Sequence, residues 1–129
     1  MRPALAAALA VAAFAASPAH ATQGLLCRPA SGSGPSLNIV IGSGVSSVIV
    51  GATLIEGRAA RSTMGERAPL AVGQSWIDPQ RLWIDVTDAN ALRYEARLRL
   101  LWSGRGRARH VAGTLERNGR VYGVRCTES

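Results

Sequence analysis

The stretch Leu92 to Trp102, L-R-Y-E-A-R-L-R-L-L-W, decides the fold that this sequence predicts. Apolar and charged residues alternate along it, which is the period-2 pattern of a strand with one buried and one solvent-facing side. A helix is the rival interpretation, because Asp88 would cap it and Gly104 stands where a helix would end. The strand is favoured, because it leaves only Leu101 outside its buried side. A helix would leave Leu92, Ala96 and Leu100 outside its apolar stripe. The predicted buried side consists of Leu92, Tyr94, Ala96, Leu98 and Leu100, and the solvent side of Arg93, Glu95, Arg97 and Arg99.

Turn signals divide the chain from residue 22 onward into short apolar runs. Residues 78–81, Asp-Pro-Gln-Arg, favour a type I turn. Asn118-Gly119 is the strongest short hairpin signal, because both residue types accept a positive φ. These signals together predict an all-β chain of about eight short strands without a helix.

Residues 1–21 predict a signal peptide that is cleaved on export. Arg2 provides the positive start, residues 5–16 form an Ala-rich apolar run, and Ala19-His20-Ala21 fits the small-x-small cleavage pattern. The apolar run is shorter than the roughly 20 residues that span a bilayer. We therefore expect one β domain over residues 22–129, in the periplasm or secreted, with no transmembrane segment in the mature chain.

The two cysteines, Cys27 and Cys126, stand near the two ends of this domain. Export would place them where disulfides persist, and a bridge needs Cα atoms within about 7 Å of each other. The first and last strands must then lie side by side or face to face. This predicts a small antiparallel up-and-down barrel closed by one disulfide, with a two-sheet β-sandwich as the alternative.

The basic charge of the chain needs care in interpretation. All 15 basic residues are arginine, and the net charge is +7. Abundant Ala, Gly and Arg are typical of a GC-rich genome as well as of a basic binding surface, so net charge alone supports an anionic partner only weakly.

Residue types that carry out catalysis are sparse. His110 is the only histidine after residue 21, which excludes a multi-histidine zinc site. The Gly-Ser-Gly around Ser43 lacks the Gly-x-Ser-x-Gly pattern of a nucleophile elbow. Asp78 and Asp88 are explained by turns, and Asp85 by a solvent-facing strand position. We expect no catalytic residue, no metal and no cofactor.

One basic constellation stands out, because two of the predicted strands and the turn between them are rich in arginine. If strands 92–102 and 107–115 pair, these arginines form a ladder suited to phosphate or carboxylate groups. The alternative is a solvated arginine face, partly neutralised by Glu95 and Glu116. The candidate anion-binding residues are Arg93, Arg97, Arg99, Arg105, Arg107 and Arg109.

Trp76 and Trp83 face each other if the strands around residues 78–81 pair symmetrically. Leu70, Val72 and Trp76 share one parity and Ile77 has the other, and a bulge near Gly73 would reconcile them. The two tryptophans are candidates for a stacking platform that binds a ligand. The alternative, which is the commoner role of tryptophan, is packing in the core.

Four short motifs in the C-terminal half carry a resemblance: residues 85–88 (Asp-Val-Thr-Asp), 98–100 (Leu-Arg-Leu), 113–115 (Gly-Thr-Leu) and 124–126 (Val-Arg-Cys). In these the chain resembles a loose group of small exported bacterial proteins of unassigned function. The resemblance implies an exported β domain and brings no catalytic residue with it.

Three classes of function remain. The first is an exported non-catalytic β domain that binds an anionic envelope component, either lipopolysaccharide or anionic lipid, through an arginine-rich face. The second is a periplasmic enzyme inhibitor, although an inhibitor of a basic enzyme should be acidic and this chain is basic. The third, a hydrolase, lacks a candidate site. A nucleic-acid partner is not expected.

Overall fold

Nine antiparallel strands make up the part of the chain that the structure describes, and no helix occurs there. The structure is a computed structural model that describes residues 22–43, 46–104 and 109–128, so the predicted signal peptide lies outside the described residues. The strands are β1 Thr22–Pro29, β2 Ser36–Ser43, β3 Ser47–Glu56, β4 Ala59–Ser62, β5 Leu70–Ile77, β6 Arg81–Asp88, β7 Tyr94–Ser103, β8 His110–Arg117 and β9 Arg120–Glu128.

All nine strands belong to one sheet with the order β4-β3-β2-β1-β9-β8-β7-β6-β5. Strands that follow each other in the chain pair, except β4 and β5, and the first strand also pairs with the last. The edge strands β4 and β5 approach each other, so the sheet curls into a nearly closed barrel. The predicted up-and-down barrel is confirmed, and the two-sheet sandwich is not the architecture.

The disulfide lies where β1 and β9 join. Cys27 and Cys126 are directly opposite each other in the antiparallel ladder and form the predicted bridge. The first and last strands therefore lie side by side, and the seam of the barrel falls in the middle of the chain, between β4 and β5.

The barrel core comes from the alternate residues that point inward from each strand. Burying a Leu or Ile side chain completely stabilises the fold by about 1.5–3 kcal/mol, and eight of the buried residues are leucines. The buried apolar residues are Leu25, Cys27, Leu37, Ile39, Ile41, Ala52, Leu54, Leu70, Leu82, Ile84, Val86, Ala96, Leu98, Leu100, Val111, Leu115 and Val124.

Strand β7, which corresponds to the stretch Leu92 to Trp102, begins two residues later than the sequence pattern predicts. In its first part, the prediction of which residues face inward is wrong. The register with β6 shifts between Ala96 and Tyr94, which leaves Glu95 as an extra residue in a bulge. The bulge reverses which residues face inward. Leu92 is 82% exposed and Tyr94 57% exposed, whereas Glu95 is 5% exposed. Ala96, Leu98 and Leu100 are buried as predicted.

Candidate functional site

Trp76 and Trp83 lie directly opposite each other on β5 and β6, on the outside of the barrel. They are 57% and 41% exposed, so the expectation of core packing is wrong. The predicted bulge exists, between Val72 and Ser75, and it lets Leu70 and Ile77 point inward from one strand while Trp76 points outward. The pairing that the sequence predicts is confirmed.

A carboxylate holds the more exposed indole in place. The Nε1–H of Trp76 donates to Asp78 Oδ2 at 2.8 Å, and the other oxygen of Asp78 accepts the backbone N–H groups of Gln80 and Arg81. The hydrogen bond from Trp76 and those from the backbone hold the pKa of Asp78 below its ordinary 3.8. The polar edge of the indole is therefore satisfied while its apolar ring stays accessible.

Two guanidinium groups lie over the second indole. The Arg81 and Arg99 guanidinium carbons are 5.6 and 5.5 Å from the centroid of the Trp83 ring, within cation-π range. Arg99 also donates to Asp85 Oδ1 at 2.8 Å, and this carboxylate is 5% exposed. Asp85 is thus on the outer side, as predicted, but it is covered rather than solvent-facing.

A shallow depression of about 330 Å³ lies beside the two indoles and is lined by residues 74–76, Trp83, Asp85 and Arg99. Leu101, 63% exposed, lies directly opposite Arg81 in the ladder between β6 and β7. We call this patch the tryptophan face; its residues are Trp76, Arg81, Trp83, Arg99 and Leu101.

A row of exposed residues continues from this face across five adjacent strands. The register places Arg81 opposite Leu101, Leu101 opposite Ala112, Ala112 opposite Arg125, and Arg125 opposite Arg28. All five are exposed. We call this line, Arg81 through Leu101, Ala112 and Arg125 to Arg28, the arginine row.

The two arginines at the far end of the row differ from those beside the indoles. Among the described residues, neither Arg28 nor Arg125 has an ion pair with a carboxylate. A broad groove of about 860 Å³ next to Arg125 is also lined by Arg109 and His110, with the acidic Glu128 at the end of β9. This end of the row therefore presents cationic groups to solvent.

Sequence reasoning missed the arginine row, although a signal for it exists. Arg28 directly follows Cys27, and Arg125 directly precedes Cys126. Once the bridged cysteines are placed opposite each other on antiparallel strands, the two arginines must also be opposite each other.

The predicted arginine ladder does not form among the described residues. Arg97 lies opposite Asp85 on one side and Glu116 on the other, and its guanidinium stacks 3.6 Å from the centroid of the Tyr94 ring. Arg99 lies opposite Thr114.

The other predicted ladder residues are placed apart from these. Arg93 precedes β7 and pairs with Glu95 at 3.0 Å. Arg109 stacks 3.8 Å from the centroid of the Trp102 ring, and Trp102 belongs to the inward-pointing set of β7. Arg105 and Arg107 lie outside the described residues.

A network of charged side chains crosses the inside of the barrel at one end. Arg117 on β8 donates to Glu56 Oε1 on β3 at 2.9 Å and to Glu95 Oε2 on β7 at 2.8 Å. Three strands separate β3 from β8 in the sheet, so this contact spans the interior. Arg61 on β4 adds contacts to both glutamates, at 3.5 and 3.7 Å. We call these four residues the ion network.

The network keeps its carboxyl groups ionised. Burial raises the pKa of Glu95, but hydrogen bonds from Arg93 and Arg117 outweigh it and hold the pKa below the ordinary 4.5. The hydrogen bonds that Arg117 donates to Glu56 lower the pKa of Glu56 and raise the pKa of Arg117. These groups are occupied with one another, which favours a structural role.

The remaining candidate chemical groups stay apart. His110 is exposed and lies opposite Ser103, whereas Asp85 lies opposite Arg97, six residues earlier on the same strand β7. Among the described residues, no three His, Cys, Asp or Glu side chains gather as a metal site requires. That same part of the chain contains no helix long and apolar enough to cross a membrane.

Comparison with known proteins yields no match to any family model, curated protein or solved structure.

Proposed function

We propose that this protein is an exported, non-catalytic β domain that attaches to phosphate-bearing lipid headgroups through the tryptophan face and the arginine row. The observation that carries the proposal is the exposed pair of Trp76 and Trp83 beside Arg81 and Leu101, from which the arginine row runs round the outside of the barrel. Large exposed apolar groups beside cations characterise surfaces that bind partners or membranes.

Tryptophan suits the boundary between headgroups and acyl chains, because its ring is apolar and its N–H is polar. In this protein Asp78 satisfies the N–H of Trp76, so the ring can enter the boundary without leaving an unpaired donor. Leu101 adds apolar surface at the same level of the sheet. These groups would provide the hydrophobic part of the binding energy.

The arginine row would provide the electrostatic part. Arg81 and Arg99 are partly neutralised, since they pair with Asp78 and Asp85. Arg28 and Arg125 have no such pair among the described residues, and guanidinium groups match the geometry of phosphate oxygens. An anionic surface attracts each nearby arginine by about 1 kcal/mol at physiological ionic strength.

Three features support export to a compartment where such lipids occur. Residues 1–21 have the composition of a signal peptide. The disulfide between Cys27 and Cys126 is of the kind that persists outside the cytoplasm. The C-terminal motifs resemble those of small exported bacterial proteins.

The proposal is tested by sedimentation of protein residues 22–129 with vesicles. Vesicles containing phosphatidylglycerol should bind the protein, and vesicles of phosphatidylcholine alone should not. Binding should weaken as salt is raised, because surface charges are then screened. Equal binding to both kinds of vesicle, or no binding to either, would contradict the proposal.

A charge-matched pair of variants locates the surface. Arg28→Ser/Arg81→Ser/Arg125→Ser should lose about 1–3 kcal/mol, which is roughly five- to a hundredfold in partition coefficient, because Arg81 is partly neutralised and not all three arginines face the membrane at once. The control carries the same charge change at three exposed arginines outside the row, in Arg58→Ser/Arg67→Ser/Arg120→Ser. If the control loses as much as the first variant, net charge rather than this surface causes the binding.

Vesicles containing lipid A distinguish the source of the phosphate. Binding to phosphatidylglycerol and to lipid A in proportion to their charge indicates recognition of the headgroup phosphate itself. If the protein binds neither lipid but captures one envelope enzyme in a stoichiometric complex, that result would favour the inhibitor alternative instead.

A further inference from the structure

The barrel end opposite the ion network holds a cavity of about 330 Å³ inside its mouth. Apolar side chains from three strands line it, namely Ile41 on β2, Ile77 on β5 and Trp102 on β7. Gln23 adds a polar group. The ion network lies at the other end of the barrel, with the apolar core between it and this cavity.

Arg109 supplies the cation at this mouth. Its guanidinium carbon lies 3.8 Å from the centroid of the Trp102 ring, so it stacks on the indole. A stacked guanidinium keeps its N–H groups in its own plane, where they can donate to a carboxylate in a bidentate manner. Within the described residues, Arg109 has no ion pair with an acidic side chain.

Trp102 supplies an unused donor. Its Nε1 atom is inaccessible to solvent and has no hydrogen-bond acceptor among the described residues. A buried N–H without an acceptor costs about 1–3 kcal/mol, and an acceptor atom brought by a ligand relieves that cost only when the indole shifts to expose the N–H.

The acidic group at the rim does not oppose an anion strongly. Asp78 lines the cavity, but Trp76 and two backbone N–H groups occupy its oxygens. Its charge is further offset by Arg81 at 3.8 Å. Among the described residues, the mouth therefore combines apolar walls with the cation of Arg109, the donor of Trp102 and the polar groups of Gln23, Ser46 and Ser47.

We propose that this mouth binds a small carboxylate with an apolar body of about two rings, placed beside the stacked pair of Trp102 and Arg109. The size follows from the cavity, because about 150 Å³ takes up one benzene ring and the present cavity is about twice as large. The carboxylate binds Arg109, and the body covers Ile41 and Ile77. This site uses neither the tryptophan face nor the arginine row.

Titration calorimetry with 2-naphthoate, beside the uncharged 2-naphthalenemethanol, tests the proposal on the disulfide-bonded protein. We expect one 2-naphthoate per chain, bound at least about tenfold more tightly than the alcohol. In Arg109→Gln the two probes should bind alike, at the level of the alcohol. Arg120→Gln, which removes an arginine that lies 5.3 Å from the Tyr122 ring centroid at the other end of the barrel, should bind as the wild type does.

Nuclear magnetic resonance of the three indole N–H groups shows where the probe lies. 2-Naphthoate should shift the Trp102 resonance most, change that of Trp76 less, since Trp76 reaches the cavity only through Asp78, and leave that of Trp83 in place. The proposal is overturned by the absence of saturable binding, by equal affinity for acid and alcohol, or by shifts confined to Trp76 and Trp83. It is also overturned if Arg109→Gln keeps the preference for the acid.

Discussion

Replacing Arg117 by methionine should destabilise the fold far more than any exposed arginine does. Arg117 contributes hydrogen bonds to both Glu56 and Glu95, and its side chain is 13% exposed. Methionine keeps much of the apolar stem but leaves Glu95, 6% exposed, without its closest cation. Breaking a buried ion pair in this way typically costs about 3–5 kcal/mol.

The lower end of that range applies here. Arg93 and Arg61 stay near Glu95, and their charges offset part of the electrostatic stabilisation that is lost with Arg117. Glu56 is 36% exposed, so water compensates most of its loss. We expect a loss of about 3 kcal/mol in the free energy of unfolding, measured by urea at pH 7, and a fall of at least about 12 °C in Tm.

The pH dependence gives a second readout. The folded pKa of Glu95 lies below its ordinary 4.5, so its stabilising contribution is complete above that pH and is lost as pH falls through the lowered value. The difference between wild type and Arg117→Met should therefore shrink in acid, because a protonated Glu95 needs no cation.

Two further variants check the reasoning. Arg117→Met/Glu95→Gln should recover more than half of the loss, since the buried charge is gone. Arg58→Met, at an exposed turn position, should cost less than about 0.5 kcal/mol. If Arg117→Met costs no more than Arg58→Met at pH 7, the ion network contributes nothing and the reasoning fails.

Three other perturbations have defined outcomes. Removing the bridge in Cys27→Ala/Cys126→Ala should lower the free energy of unfolding, measured in urea, by about 4–5 kcal/mol, because the unfolded chain is no longer constrained by a large covalent loop. A loss below about 1 kcal/mol would contradict a stabilising role for the bridge. Gly113→Ala should cost at least about 2 kcal/mol by the same assay, because a Cβ there would overlap the backbone of β7. The indole N–H resonance of Trp76 should titrate with Asp78 at a midpoint below pH 3.8, and a midpoint above it would mean that their hydrogen bond does not form in solution.

The matched control for the glycine prediction lies on the neighbouring strand. A Cβ built at Gly123 would meet nothing within 4 Å. Gly123→Ala should therefore leave the free energy of unfolding nearly unchanged, and an equal loss at Gly113 and Gly123 would indicate a general effect of glycine rather than a steric one.

Local sequence patterns predicted the strands and turns well, because these depend on neighbouring residues. Asn118 and Gly119 adopt the positive φ that the hairpin signal requires. Asp78 accepts the backbone hydrogen bonds expected at the start of its turn. The cysteine pair then predicted the closure of the barrel. A disulfide limits the distance between two Cα atoms, and this limit brings the first and last of a series of hairpin strands together.

Sidedness was predicted less well, because bulges belong to pairs of strands rather than to single ones. Nothing in the alternation around Glu95 marks it as the extra residue opposite β6. The bulge in β5 was predicted, but the side on which Trp76 and Trp83 lie was not. Once Trp76 is on the outside, the turn itself supplies an acceptor for its N–H, Asp78.

The arginine ladder failed for a related reason. Periodicity says which side of its own strand an arginine faces, while the register across strands says which residue it meets. Arg97 meets Asp85 and Glu116 rather than other arginines. The cations that line up come from distant positions, Arg28, Arg81 and Arg125, which no local pattern connects.

Membrane depth, measured by quenching of tryptophan fluorescence, tests the proposed binding surface most directly. The protein is added to phosphatidylglycerol vesicles whose acyl chains carry bromine near the headgroup. In Trp102→Phe, which keeps only Trp76 and Trp83, the fluorescence should be strongly quenched. In Trp76→Phe/Trp83→Phe, which keeps only Trp102, it should hardly change. Quenching of Trp102 alone, or of neither set, would contradict binding through the tryptophan face.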